Sequence, residues 1–341
     1  MAATRTTRGT ATPSMSELRA ALTPPPPRGR ARDSRCRALC EAARTLIVEG
    51  DWPALLELRA WAWQHPLFAT PDAALRGFLR QWEQALLSAA PLATAAALVR
   101  DDVATAVQAP WERLAARASW AELRPLLPDD QAAWSVAEAR VLRGETLPGR
   151  SPFSGMPLRR PAWEPAPVLP TYGPWGAAWG SPGFAAPMTR VSPGPGSAEC
   201  LVCEPEWAAL LAVWSWGEAS VVKVAGTGLQ ALATAGATDS IWVGPCTTKE
   251  ALAAMMHMHG GPAPFTEERG MVAARRAVWR LLTALTGESW PNSGSRLQAA
   301  MRGWKWARYG PEEPDADQAL FLVLEDPRRG VAWATSAWVT D

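Results

Sequence analysis

Histidine is scarce. Three occur in 341 residues, at His65, His257 and His259. Nucleophilic catalysis needs a base beside its nucleophile, so there are few ways to assemble a triad. His65 precedes a proline at a helix end, and the other two sit among Met255, Met256 and Met258 on an apolar helix. No Gly-x-Ser-x-Gly elbow occurs. Cysteine is also sparse: Cys36, Cys40, Cys200, Cys203 and Cys246, an odd set that does not form a disulfide framework. A reducing cytoplasm is the expected location. Cys200-Leu-Val-Cys203 is half of a zinc knuckle, but a second Cys-x-x-Cys is missing, and His257 and His259, two apart, fall on different faces of a helix. No metal site and no cofactor are expected. Ala225-Gly226-Thr227-Gly228 lacks the third glycine of a dinucleotide loop and the lysine of a phosphate loop. Long apolar runs are absent too. None approaches the roughly 20 residues a bilayer span requires, and no membrane partner is expected.

Lysine, isoleucine and asparagine are nearly missing. Lys223, Lys249 and Lys305 are the only lysines among 34 basic residues, and Asn292 is the single asparagine. Tyr (2) and Phe (6) are outnumbered by Trp (20). The favoured residues have GC-rich codons and the depleted ones AT-rich codons, which points to a GC-rich genome. Arg and Trp are the residues otherwise read as interface hot spots or base-stacking groups. Their abundance here therefore proves little.

The net charge of +1 conceals a segregation. Residues 1–35 carry +5, residues 36–145 carry −3, residues 146–199 carry +2 and residues 200–341 carry −3. Folded nucleic-acid modules usually have the opposite sign. Only residues 1–35, expected to be a basic disordered tail, would meet nucleic acid, and then weakly and without specificity.

The rest divides into three. Residues 36–145 read as a helical domain, a bundle or a short helical-repeat array, with helices expected at Cys36–Glu49, after Asp51, after Thr70-Pro71-Asp72, at Leu92–Val107, after the capping box Ser119-Trp120-Ala121-Glu122, and at Asp130–Arg143. Residues 146–199 hold 12 prolines, which exclude regular helix or sheet interior over most of the segment. Trp163, Tyr172, Trp175 and Trp179 make this extended segment an apolar strap, either packed on its own protein or serving as a partner-docking segment.

Residues 200–341 read as an α+β domain with a mainly antiparallel sheet. Leu211–Trp216 and Ala219–Val224 are expected to form a hairpin around Gly217-Glu218. Helices are expected after Thr247 and from Thr266 to Thr286, closed by Gly287. Trp304–Tyr309 reads as a strand, and Ala319–Leu324 with Val331–Val339 as a closing hairpin. In the strand, Trp304 and Trp306 share one face, either stacking bases or filling the core.

Gly260-Gly261, then Val272-Ala-Ala-Arg275-Arg-Ala-Val-Trp279-Arg280-Leu-Leu-Thr-Ala-Leu285, then a strand pair ending Ala-Trp-Val-Thr-Asp341 resembles an uncharacterised bacterial domain-of-unknown-function family from GC-rich genomes. The likeness covers about residues 207–341. Ala273-Ala274 stands where the family often has Tyr-Gly, while Arg275, Trp279 and Arg280 match. The resemblance implies kinship and no activity.

The expected function is a non-enzymatic interaction or scaffold component of a bacterial multiprotein system, with another protein as partner. The alternative is an enzyme or small-molecule sensor with a site in the α+β domain. Candidate binding residues are Gly260, Gly261, Arg275, Trp279, Arg280, Trp304 and Trp306.

Overall fold

The computed structural model describes residues 30–64, 73–100, 109–174, 176–194, 198–212, 217–237, 240–261, 270–310 and 319–339. The chain divides into two compact units. The first holds residues up to Pro110 together with Gly173–Gly176, and the second holds Trp111–Tyr172 and Ala177–Asp341.

The first unit is helical: α1 (Arg30–Glu49), α2 (Trp52–Gln64), α3 (Ala73–Ala89) and α4 (Leu92–Arg100). α1 begins at Arg30, earlier than the Cys36 start expected. Gly50, with φ of 73°, ends it in the left-handed region, and the Asp51 carboxylate accepts from the Ala54 N–H to open α2. α1 packs on α2 and α3, and α3 on α4. Leu39, Ala43, Leu55, Leu58, Leu79 and Leu86 supply the core. Within it Arg59 meets the buried Glu83 at 2.8 Å. The start signal at residues 70–72 and the end of the helix expected to reach Val107 lie outside the described residues.

The second unit starts at Trp111, within α5 (Pro110–Ala115), and continues with α6 (Trp120–Leu123) and α7 (Gln131–Leu142). The capping box at Ser119 forms, and Asp130 caps α7 through the Ala133 N–H. Sequence reading groups these helices with the N-terminal ones. In the structure they belong to the second unit, where Glu112 of α5 and Glu138 of α7 bind the long helix.

That unit is built on a seven-stranded sheet. Its strands are β1 (Thr189–Val191), β2 (Glu199–Leu201), β3 (Gly217–Ala225), β4 (Ile241–Cys246), β5 (Lys305–Gly310), β6 (Ala319–Asp326) and β7 (Val331–Val339). Their order is β1-β4-β5-β6-β7-β3-β2, and all six pairings are antiparallel. The helices are α8 (Pro205–Leu211), α9 (Gly228–Thr234), α10 (Thr248–Gly260), α11 (Met271–Thr286) and α12 (Gly294–Ala300). The chain thus combines N-terminal helices with a C-terminal α+β unit whose sheet is antiparallel, as the sequence indicates.

Strand alternation divides the core between the two faces of the sheet. On one, Ala231 and Leu232 of α9 pack with Val224, Tyr309, Val323, Ala332 and Ala334. On the other, Trp306, Leu322, Leu324 and Trp333 are buried, and α10 lies along β5 and β6.

Two expectations are corrected. Leu211 does not open a strand, since it ends helix α8, and Gly217 and Glu218 are no turn but the first residues of β3, paired with Val339 and Trp338; residues 213–216 of the expected strand lie outside the described residues. Pro205 at the first turn of α8 is the cause, since its fixed φ favours a helix start there. The start expected for the long helix, Thr266, lies outside the described residues. The helix starts at Met271, after Gly270 with φ of 84°.

Candidate functional site

Three carboxylates converge on α11. Glu112 of α5 accepts from the Val272 N–H at 2.7 Å and from the Tyr172 hydroxyl at 3.1 Å. It caps the first turn of α11, where N–H groups have no helical partner. Burial pushes the Glu112 carboxyl up, opposed by the Val272 and Met271 N–H groups and by Tyr172. Arg113 lies over the Tyr172 ring at 4.6 Å. One turn on, Arg276 forms a two-point pair with Glu138 of α7 at 2.8 and 2.9 Å.

The third carboxylate is Glu164, in the proline-rich strap. Its two oxygens accept from Arg275 at 2.5 and 3.0 Å, and Trp279 Nε1 donates to it at 3.2 Å. The Arg275 and Glu164 side chains are 0% and 2% exposed. Arg275 also donates to the carbonyls of Pro157 and Arg159 at 3.0 and 3.3 Å. One buried guanidinium therefore fixes both the strap carboxylate and the strap backbone. Trp163 stacks at a tilt against Trp279, centroids 5.0 Å apart, and donates to the Gly294 carbonyl at 2.8 Å.

These ties leave an open cleft of about 940 Å³ in front of the strap, lined by residues 146–150, by Pro157 and residues 159–162, and by Ser293–Ser295 and Gln298 of the α12 start. Arg150, Arg159 and Arg160 are among its lining residues, with no carboxylate. Arg150 is held by the carbonyls of Gly155, at 2.7 Å, and of Asn292. Arg160 donates to the Pro165 carbonyl at 3.4 Å. The Leu147 N–H donates to the Leu158 carbonyl at 2.8 Å, and the Leu158 N–H to that of Gly149 at 3.1 Å. The walls are thus cross-tied by the chain's own hydrogen bonds. Comparison with family models, curated proteins and solved structures finds no match to this chain.

The sequence-derived candidates fall elsewhere. Arg275 and Trp279 lie behind the cleft, within the core. Gly260 is a point of close approach between α10 and α11: a Cβ there would meet the Gly270 carbonyl oxygen at 2.7 Å and Ala274 Cβ at 2.9 Å. At Gly261 a Cβ would meet the His257 carbonyl oxygen at 2.5 Å. Trp304 and Trp306 are buried and meet edge to face at 6.2 Å. Arg280 is exposed and lines a separate groove of about 570 Å³ with Glu206, His259 and Arg276.

Of the strap aromatics, Trp163 and Tyr172 pack as described, and Trp179 meets His257 edge to face at 6.3 Å. Trp175 lies outside the described residues. Cys203 Sγ contacts the Val221 carbonyl at 3.7 Å. Burial pushes the Cys203 thiol up, and that of Cys246 to about 12, so both favour the protonated form over the thiolate a nucleophile or metal ligand needs.

Sequence reasoning missed Arg150, Arg159, Arg160, Glu112 and Glu164. The Pro-Leu-Arg-Arg-Pro run was the available signal, since paired arginines fixed between prolines have few conformations in which to hide.

Proposed function

We propose that the chain is a non-enzymatic interaction component of a bacterial, cytoplasmic multiprotein system, docking a segment of another protein in the strap-walled cleft. The observation that carries this reading is the cross-tied cleft itself. Its walls are fixed by Arg150, Trp163 and Arg275, so binding costs little ordering of the protein side. The nearby ionisable pairs Arg275–Glu164 and Arg276–Glu138 hold the fold together. The kinship expected over 207–341 rests on Arg275, Trp279 and Arg280, and the first two make core contacts, so it bears on the fold of this unit.

A photo-reactive residue placed at Gln298, on the cleft, tests the reading against one at the exposed Leu229 of α9. Crosslinking in the host is expected to give one dominant protein adduct from position 298 and none from 229. No adduct, or the same adducts at both positions, rejects it.

A second reading, a small-molecule sensor, is favoured by the groove beside Arg280. The His259 ring meets the Leu210 carbonyl at 2.9 Å there, which fixes its orientation. Saturable binding of a small anion lost in Arg280→Ala would support it. The weak nucleic-acid reading rests on the tail, most of which lies outside the described residues.

A further inference from the structure

We infer that the occupant of the cleft is an extended acidic segment of a partner protein, gripped by Arg150, Arg159 and Arg160. This rests on the interaction reading above and adds the chemistry of the ligand.

Charge is the first support. Three arginines are among the residues lining one cavity, and no carboxylate-bearing residue is among them. An arginine carries five N–H donors in a planar fork that matches a carboxylate. Arg150 directs two N–H groups to the Gly155 and Asn292 carbonyls, so its position is set while further donors remain. Arg159 is exposed on the strap, and its backbone is pinned from behind by Arg275.

Size and shape are the second. About 940 Å³ exceeds by far the ~30 Å³ share of one water, so a lone small anion would leave most of the cleft filled with solvent. Leu147 and Pro161 stand among the arginines in the lining. A chain alternating carboxylates with small apolar side chains meets both kinds of surface. Gln298 adds an uncharged polar residue to the lining.

The third observation decides against nucleic acid. No aromatic ring is among the lining residues, so the stacking platform that single strands use is missing. The arginines also belong to a segment of +2 flanked by two stretches of −3, not to the broad basic face a duplex needs.

Fluorescence anisotropy on the full chain tests this. The probes are a fluorescein-labelled peptide of about eight residues alternating Glu and Ala, the same peptide with Gln for Glu, and an oligothymidylate of similar length. The Glu peptide is expected to bind, at least about tenfold more tightly than the Gln peptide or the oligonucleotide. Its affinity is expected to fall about tenfold between roughly 50 and 300 mM salt. Arg159→Glu is expected to weaken it at least about tenfold, while Arg302→Glu, the same charge change at an exposed site outside the cleft, leaves it within about twofold. Circular dichroism of both variants checks that the fold is kept. No binding, equal binding of the Gln peptide or the oligonucleotide, or equal effects of the two substitutions overturns the inference. A crosslinked partner at Gln298 with no affinity for the Glu peptide would remove the acidic ligand and leave the interaction reading standing. Peptide binding without any crosslinked partner would do the reverse.

Discussion

At the scale of single residues, the buried ionic groups carry the largest expected effects. Glu164→Ala leaves Arg275, 0% exposed, with an uncompensated charge. Breaking a buried pair in this way typically costs about 3–5 kcal/mol. Denaturant unfolding of the variant is expected to show a loss in that range, and a loss below ~1 kcal/mol would mean that water reaches Arg275. Glu112 gives a pH signature. Its carboxyl is raised above the ordinary 4.5 by burial, so the folded chain holds this proton to higher pH than the unfolded chain does. Its contribution is complete below 4.5 and is lost as pH rises through that value toward the folded one. Thermal unfolding followed upward from about pH 4 is therefore expected to show a declining component that Glu112→Gln lacks. Identical pH profiles in the two proteins would contradict it.

At the scale of elements, α11 organises the second unit. It receives Glu112 at its first turn, Glu138 at Arg276 and Glu164 at Arg275. Its approach to α10 depends on the missing side chain at Gly260. Gly260→Ala places a methyl 2.7 Å from the Gly270 carbonyl oxygen and is expected to cost about 1–3 kcal/mol by overpacking, measured by the shift in unfolding midpoint. Local signals made much of this architecture legible. The capping boxes at Ser119 and Thr247 and the closing hairpin β6–β7 form because their determinants lie within a few residues of one another. Leu211 falls in a helix and not in the expected strand because a short apolar run is ambiguous between the two, and Pro205 favours a helix start six residues earlier. The joining of the cleft walls is not legible in the sequence. It ties Arg150 to Asn292 and Trp163 to Gly294, across more than a hundred residues, and no spacing in the chain encodes that meeting. Arg275 was noticed as a candidate ligand contact, but its partner Glu164 sits in a segment without periodicity to place it.

At the scale of the whole molecule, the division at Pro110 has a direct test. A fragment of residues 111–341 retains Glu112 and Glu138 and is expected to unfold cooperatively on its own. A fragment of 146–341, cut where composition alone suggests, lacks both and is expected to lose cooperativity or resist purification in folded form. Equal behaviour of the two would show that α5–α7 contribute little to the unit. The described helices include none long and apolar enough to cross a membrane.

The anchorage of the strap bears on how such a surface could change. Arg275 holds two strap carbonyls and one carboxylate, and it reads no side chain at positions 157–160. The outward residues there can be exchanged without touching what fastens them. Lys, Gln or Glu at 159 would change the charge on the cleft wall while the same buried clasp stays shut. At position 159, then, the charge shown on the cleft wall and the fastening of the strap are set by different groups: the side chain sets the first and the backbone carbonyl held by Arg275 the second.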